Sequence, residues 1–363
     1  MKGAARLIVS ADAGAMAAVT ARAAYTALRR HPPGEAKTWS RTNHRGERVT
    51  LLEGPAVTAG AVTGQVLAAV AAARRTASRA PVPGPPELPY QPERRRAPLG
   101  RSDLALAAAG LGGVAFGVLD DLRGSGKRRG LRGHLGALAH GEVTTGTVKL
   151  AGLAATGLTT ALLEGGDPLD VAINAGLVAG GANLLNLFDL RPGRAIKVAA
   201  LAAAGIAVAP ARSAGARLTG LQAVAAPAGA ALALLPEDLE EQAMLGDAGA
   251  NALGAMLGAA AAQALPRGTR TRVLLGIVAL TVASEKVSFT KVIAATPPLN
   301  WLDMLGRRPA STTASGQALA DLVPAQAGRR QPGRHRRNET RERRSRSASW
   351  FSAFFKSVTR REP

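Results

Sequence analysis

The chain has 363 residues, 47% of them hydrophobic and 20% charged, with a formal net charge of +21. No cysteine is present, which excludes disulfides, thiolate metal sites and a cysteine nucleophile. The basic residues, mostly Arg, lie in loops and one tail rather than on a folded basic face, which argues against a nucleic-acid partner.

A mean hydropathy of +0.06 looks soluble, but the average hides a segregation of charge. The stretches 54–73, 171–188, 218–236 and 248–266 carry no charged residue, and 104–119, 150–163, 198–211 and 273–284 are shorter examples or reach span length with their flanks. A helix crossing the hydrocarbon core needs about 20 mostly apolar residues. These segments are Ala-, Gly-, Leu- and Val-rich and lack the polar stripe of a soluble amphipathic helix. The expected fold is therefore all-α, a polytopic membrane bundle of about nine transmembrane helices within a range of eight to eleven.

In chain order the predicted helices run roughly over 4–28, 53–73, 103–119, 147–163, 170–187, 196–211, 217–235, 248–265 and 272–289. The first is interrupted by Asp12 and Arg22. Alternate joints are motif-rich, at 29–52, 120–145, 188–197, 237–247 and after 289, and basic except at 237–247; the intervening ones, at 164–170, 211–217 and 266–272, are short and plain. The positive-inside rule places the motif-rich set and the C-terminus in the cytoplasm of a multi-pass plasma-membrane protein. The Pro-rich joint 74–101, with seven Arg, goes against that rule. Three units follow: 1–309 in the membrane, 310–346 a disordered basic linker, and 347–363 a basic tail. Trp350, Phe351, Phe354, Phe355 and Val358 recur there at helical spacing, so the tail is expected to adhere to anionic membrane lipid.

Four polar clusters stand at ends of apolar helices, where carboxylates are costly unless they face a cation or a polar cavity. Asp120 and Asp121 close the third helix; adjacent carboxylates are tolerated where a divalent cation or a basic partner shares the site. Asn183, Asn186 and Asp189 fall on one face of the fifth helix and are followed by Arg191, Arg194 and Lys197, a set suited to a nucleotide diphosphate. Gly246-Asp247-Ala-Gly249 opens the eighth helix with Asp247 at the N-cap position, where it either caps the helix or admits a metal–phosphate. The fourth, 285–309, holds Glu285, Ser288, Trp301 and Asp303 in a structured cytoplasmic segment. Phe116, Phe188 and Phe289 lie beside these clusters in an aromatic-poor chain.

In their order, the Asp-Asp pair (120–121), Asn-Leu-x-Asn-Leu-x-Asp (183–189) and Gly-Asp-x-Gly (246–249) resemble the polyprenyl-phosphate sugar-1-phosphate transferases, a superfamily that includes phospho-N-acetylmuramoyl-pentapeptide transferase. Weaker matches are Thr42-Asn43-His44-Arg45-Gly46 and Lys149, and the likeness covers about 40–309. The resemblance implies a Mg²⁺-dependent enzyme that transfers an amino-sugar-1-phosphate from a UDP-amino sugar to a polyprenyl phosphate in cell-envelope synthesis. It casts Asp247 as a Mg²⁺ ligand, with Asp120 and Asp121 holding or deprotonating the lipid phosphate or, for Asp121, joining the metal. Asn43, Arg45, Asn183, Asn186 and Asp189 would face substrate and Lys149 a phosphate; Arg191, Arg194 and Lys197 join the substrate set on charge alone. A homodimer is compatible with this reading. The family's second nucleotide Asp and its His-rich loop have no counterpart here, so the alternative is a catalytically silent relative that binds lipid-linked precursor or scaffolds envelope enzymes.

Overall fold

The computed structural model describes residues 2–77, 99–123 and 144–309. The basic tail, the core of the Pro-rich joint and most of the 120–145 loop lie outside the described residues. Eleven helices are described: α1 (Lys2–Arg30), α2 (Glu53–Ala77), α3 (Arg101–Arg123), α4 (Thr145–Glu164), α5 (Pro168–Phe188), α6 (Arg194–Val208), α7 (Ala214–Leu239), α8 (Gly246–Ala264), α9 (Arg267–Ser284), α10 (Phe289–Ala295) and α11 (Pro297–Met304). A helix stands at each of the nine expected places, extended into polar flanks that a charge-free window leaves out. Side-chain caps fix several of these ends: Thr144 accepts the Thr147 N–H at 3.1 Å, Asp167 that of Asp170 at 2.9 Å, and Ser213 that of Ala216 at 3.1 Å.

Two features depart from the expectation. The chain is not wholly helical: β1 (Ser40–Thr42) pairs antiparallel with β2 (Arg48–Thr50), and Thr50 bridges to Ala243 in the α7–α8 joint. The last expected helix, 272–289, stops early, at Ser284, and the chain bends by 97° before a further short helix, α10, starts at Phe289. The mostly polar stretch Ser284-Glu285-Lys286-Val287-Ser288 forms the break, and Phe289 stacks on Phe188 with centroids 5.0 Å apart.

Among the described residues five helices are long and apolar enough to cross a membrane: α2, α3, α4, α5 and α7; α9 and α10 make a sixth if that bent pair is one span. The chain is on these grounds a multi-helix membrane protein. Helix α8 fails the same test, and the packing gives the reason. All of its residues except Asp247 are buried, because α2, α3, α5 and α7 pack around it. It meets protein rather than lipid, so it is built from Ala and Gly, which bring helix axes close where dispersion drives association. A side chain on Gly254 would run into the Gly181 carbonyl, one on Gly258 into that of Leu177, and one on Gly117 into the backbone at Asp247 and Ala248. Helix α9 is the opposite case: it packs mainly on α5, with Leu275, Val278 and Val282 exposed.

Gly254→Val should therefore abolish recovery of monodisperse protein in detergent. Gly276→Ala, where an added methyl meets nothing within 4 Å, should leave it intact or raise stability by up to about 1 kcal/mol. Size-exclusion elution and thermal unfolding of the two variants check the contrast.

Candidate functional site

Alternation of the helices sends the C-terminal ends of α3, α5, α7 and α9 and the N-terminal ends of α2, α4, α6 and α8 to one end of the bundle. Every expected site residue lies on that end or on the hairpin and joints that cover it.

At the centre is Lys149, in the first turns of α4 and only 7% exposed. Its ammonium lies 3.3 Å from Asp120 Oδ2 at the end of α3 and forms an ion pair with Asp247 at the start of α8. A buried ammonium needs such partners, so one cation ties three helices together. Asp121 points elsewhere. Its two oxygens accept the backbone N–H groups of Asp247 at 3.1 Å and Ala248 at 2.9 Å, and its carbonyl accepts from Arg41. The cap of α8 is thus borrowed from α3, and Asp189, the C-cap residue of α5, accepts the Gly246 N–H beside it. This corrects the placement of Asp247. The N-cap residue is Leu245, which has no capping side chain, and Asp247 stands in the first turn with its carboxylate on Lys149. Desolvation, then the charges of Asp238, Asp247 and Asp121, push the Asp189 carboxyl well above the usual carboxylate range.

The other expected residues divide in two. Asn183, Asn186 and Arg191 are partly buried, and no side-chain hydrogen bond is formed by them among the described residues. The remaining four are engaged. Arg194 makes a two-pronged pair with Asp303, Nε to Oδ1 at 2.8 Å and an η-nitrogen to Oδ2 at 2.9 Å, and reaches Thr290 at 2.9 Å. The Lys197 ammonium donates to the carbonyls of Leu302, Asp303 and Leu305 at 3.1, 2.8 and 2.6 Å, satisfying the end of α11. Arg307 adds a 2.5 Å bond to Asp303. Two of the three cations expected at a nucleotide, Arg194 and Lys197, thus clamp the 289–308 segment onto the start of α6. Asn43 closes the hairpin turn by accepting the N–H groups of Arg45 and Glu47, and donates to Glu241 at 2.6 Å; Arg45 pairs with the other Glu241 oxygen at 2.7 Å.

Glu241, Glu53 and Asp238 are the residues that motif reasoning missed, and it left Asp303 of the fourth cluster without a role. Glu241 and Asp238 belong to an acidic run, Glu237 to Glu241, that reads as solvated loop, yet both are buried. The one signal for Glu53 is a lone carboxylate abutting a 20-residue charge-free run. The opposite end, expected to be plain, has a network of its own. Gln263 of α8 donates to Glu164 at 2.6 Å and to the Ser102 carbonyl at 3.0 Å, Gln65 donates to Asp103 at 2.8 Å, and Arg270 holds Asp170 and Asn174.

Among the described residues no three His, Cys, Asp or Glu side chains are grouped as ligands of one metal ion. Asp120 and Asp247 nevertheless converge on a single positive charge. Two carboxylates are what Mg²⁺ uses when water and substrate phosphates supply the rest of its shell, so this donor pair fits that ion. No known protein family matches the chain, and no curated protein matches it significantly.

The clamp generates a testable expectation. Arg194 and Asp303 are both buried, so Arg194→Ala should cost about 3 kcal/mol by stranding the carboxylate, although Arg307 retains part of the pairing. Burial alone would raise the Asp303 carboxyl; the hydrogen bond from Arg194 and the charges of Arg307 and Lys197 outweigh it and hold the group below the ordinary range. Its stabilising contribution is then complete above the unfolded-state value of about 3.9 and disappears as pH falls through the lower folded value. Thermal unfolding between pH 7 and pH 2.5 should show an acid loss that Asp303→Asn removes.

Proposed function

We propose that the chain is a polytopic plasma-membrane phosphoglycosyl transferase. It would transfer an amino-sugar-1-phosphate from a UDP-amino sugar to an undecaprenyl-type phosphate. About nine helices would cross or line the membrane part, with the motif end cytoplasmic. The observation that carries the reading is the convergence of Asp120, Lys149 and Asp247 from three helices onto one charge-compensated point, beside the uncommitted Asn183, Asn186 and Arg191.

In this reaction an oxygen of the lipid phosphate attacks the β-phosphorus of the UDP-sugar. The bond from that phosphorus to the bridging oxygen breaks, UMP leaves with the electron pair, and a lipid diphospho-sugar remains. There is little covalent work for a protein here; it positions the phosphates in line and neutralises their charge. Mg²⁺, when bound, would neutralise phosphate charge. Asp120 and Asp247 would hold the ion. Lys149, held between those carboxylates, would turn its ammonium to a phosphate oxygen as the ion takes them over. Asp121 and Asp189 would act as positioning residues, since their bonds fix the first turn of α8 and with it Asp247. Asn183 and Asn186 would offer amides to the nucleotide, and Arg191 a free guanidinium to its phosphates.

A second reading, a silent relative that holds lipid-linked precursor, is favoured by one observation: Lys149 already fills the position between Asp120 and Asp247. The protein purified in detergent, given undecaprenyl phosphate, Mg²⁺, a UDP-amino sugar and radiolabelled UMP, separates the two. Mg²⁺-dependent movement of label into the UDP-sugar is expected, reduced at least about 100-fold in Asp247→Asn while the Tm is kept. Folded wild-type protein that exchanges with neither UDP-N-acetylglucosamine nor UDP-N-acetylmuramoyl-pentapeptide would sink the enzyme reading in favour of the silent one.

A further inference from the structure

Glu53 opens α2 with a side chain that is fully buried, and neither of its carboxylate oxygens has a protein hydrogen-bond partner. The charged groups that bear on it are Asp238, Asp189 and Glu237; all are acidic. Asp238, at the end of α7 and 2% exposed, accepts the Gly193 N–H but leaves Oδ2 without a partner. Glu237 spends Oε1 on Arg22 and leaves Oε2 buried and unmatched. From α1, Tyr25, 4% exposed, brings a phenol oxygen within electrostatic reach of Glu53 and Glu237, and Arg29, 5.6 Å over its ring, acts on that phenol rather than on the acids.

The nearby cations do not relieve this concentration of charge. Arg307 and Lys197 bear on Asp238, but their bonds go to Asp303, to the Pro192 carbonyl and to the carbonyls that end α11. Arg22 pairs with Glu237 alone among the acids of this group. An uncompensated carboxylate in such a place costs several kcal/mol, and removing its partner charge is what makes a buried ion expensive. Every unmatched atom here is an oxygen, and oxygen donors select hard cations over softer ones.

We propose that Glu53 and Asp238 hold a hard cation at the junction of α1, α2 and α7, distinct from the Asp120–Lys149–Asp247 point. Since no three acidic side chains group around one ion among the described residues, the ion rests on these two carboxylates, with the Tyr25 hydroxyl, backbone carbonyls or water for the remaining positions. Its role is structural: it neutralises the charge that α2 and α7 bury together and so locks α1 and the hairpin against the motif end.

Thermal unfolding of the full chain in detergent, followed by tryptophan fluorescence, tests this. The protein is stripped with EDTA, held at constant ionic strength with choline chloride, and titrated separately with NaCl, MgCl₂ and CaCl₂. At least one of the three should raise Tm saturably by about 3 °C. The rise should vanish in Glu53→Gln and persist in Asp247→Asn, which separates this cation from any ion of the transfer reaction. If Glu53→Gln gives no folded protein, Asp238→Asn takes its place with the same expected loss. A wild-type Tm that none of the three salts moves would overturn the proposal, and a protonated-carboxyl infrared band removed by Glu53→Gln would then name a proton as the neutralising charge. A response retained in both carboxamide variants, or lost in Asp247→Asn, would overturn it equally.

Discussion

Everything in this molecule is arranged around the burial of α8. A helix enclosed by protein on all sides inside a membrane has no water to exclude, so its association depends on how closely neighbouring backbones can approach. Ala and Gly along its length, met by Gly113 and Gly117 of α3 and Gly181 of α5, allow that approach. The consequence reaches beyond packing. With its flanks fixed by α2, α3, α5 and α7, the N-terminus of α8 has one position, and Asp247 in its first turn is carried to Lys149.

That N-terminus is also where the electrostatics of the motif end are settled. A helix start leaves several N–H groups unmatched and carries a partial positive charge. Here those groups are matched from outside the helix, by Asp121 and Asp189. The arrangement frees Asp247 from capping. It also makes two of the acids that resemble catalytic residues into supports for a third. Arg194 and Lys197 show the same division of labour: charges that suit phosphate in a sequence are committed in the fold to holding the 289–308 segment. The residues left with uncommitted polar groups, Asn183, Asn186 and Arg191, are correspondingly the better candidates for touching substrate.

Much of this was legible from the sequence. The charge-free runs located a helix in eight of the nine places because charge is excluded from apolar surroundings irrespective of whether those surroundings are lipid or protein. For the same reason they could not tell α8, sheathed in protein, from α4, which leaves Leu158 and Leu162 exposed. Asp120 and Asp247 were legible because each is a charge at the end of an apolar helix, and helix alternation sends those ends to one side; Lys149 entered only through the family resemblance. The exchange of roles between Asp121 and Asp247 was not, since two neighbouring carboxylates look alike until the direction of each side chain along its helix is known. The end of α9 at Ser284 rather than 289 was not legible, because Val287 and Phe289 carry apolar residues past Glu285 and Lys286. Glu53 was given no role at the start of the second helix; its burial beside α1 and α7 is a tertiary event with no local signature.

The most direct test of the central claim, that α8 presents Asp247 to a phosphate-binding point shared with Asp120 and Lys149, is calorimetric titration of UMP into the purified protein with and without Mg²⁺. The account predicts saturable, Mg²⁺-dependent binding in the wild type that is lost in Asp247→Asn and in Lys149→Gln. UMP binding of equal strength in Asp247→Asn, or its absence from folded wild-type protein in Mg²⁺, would contradict it.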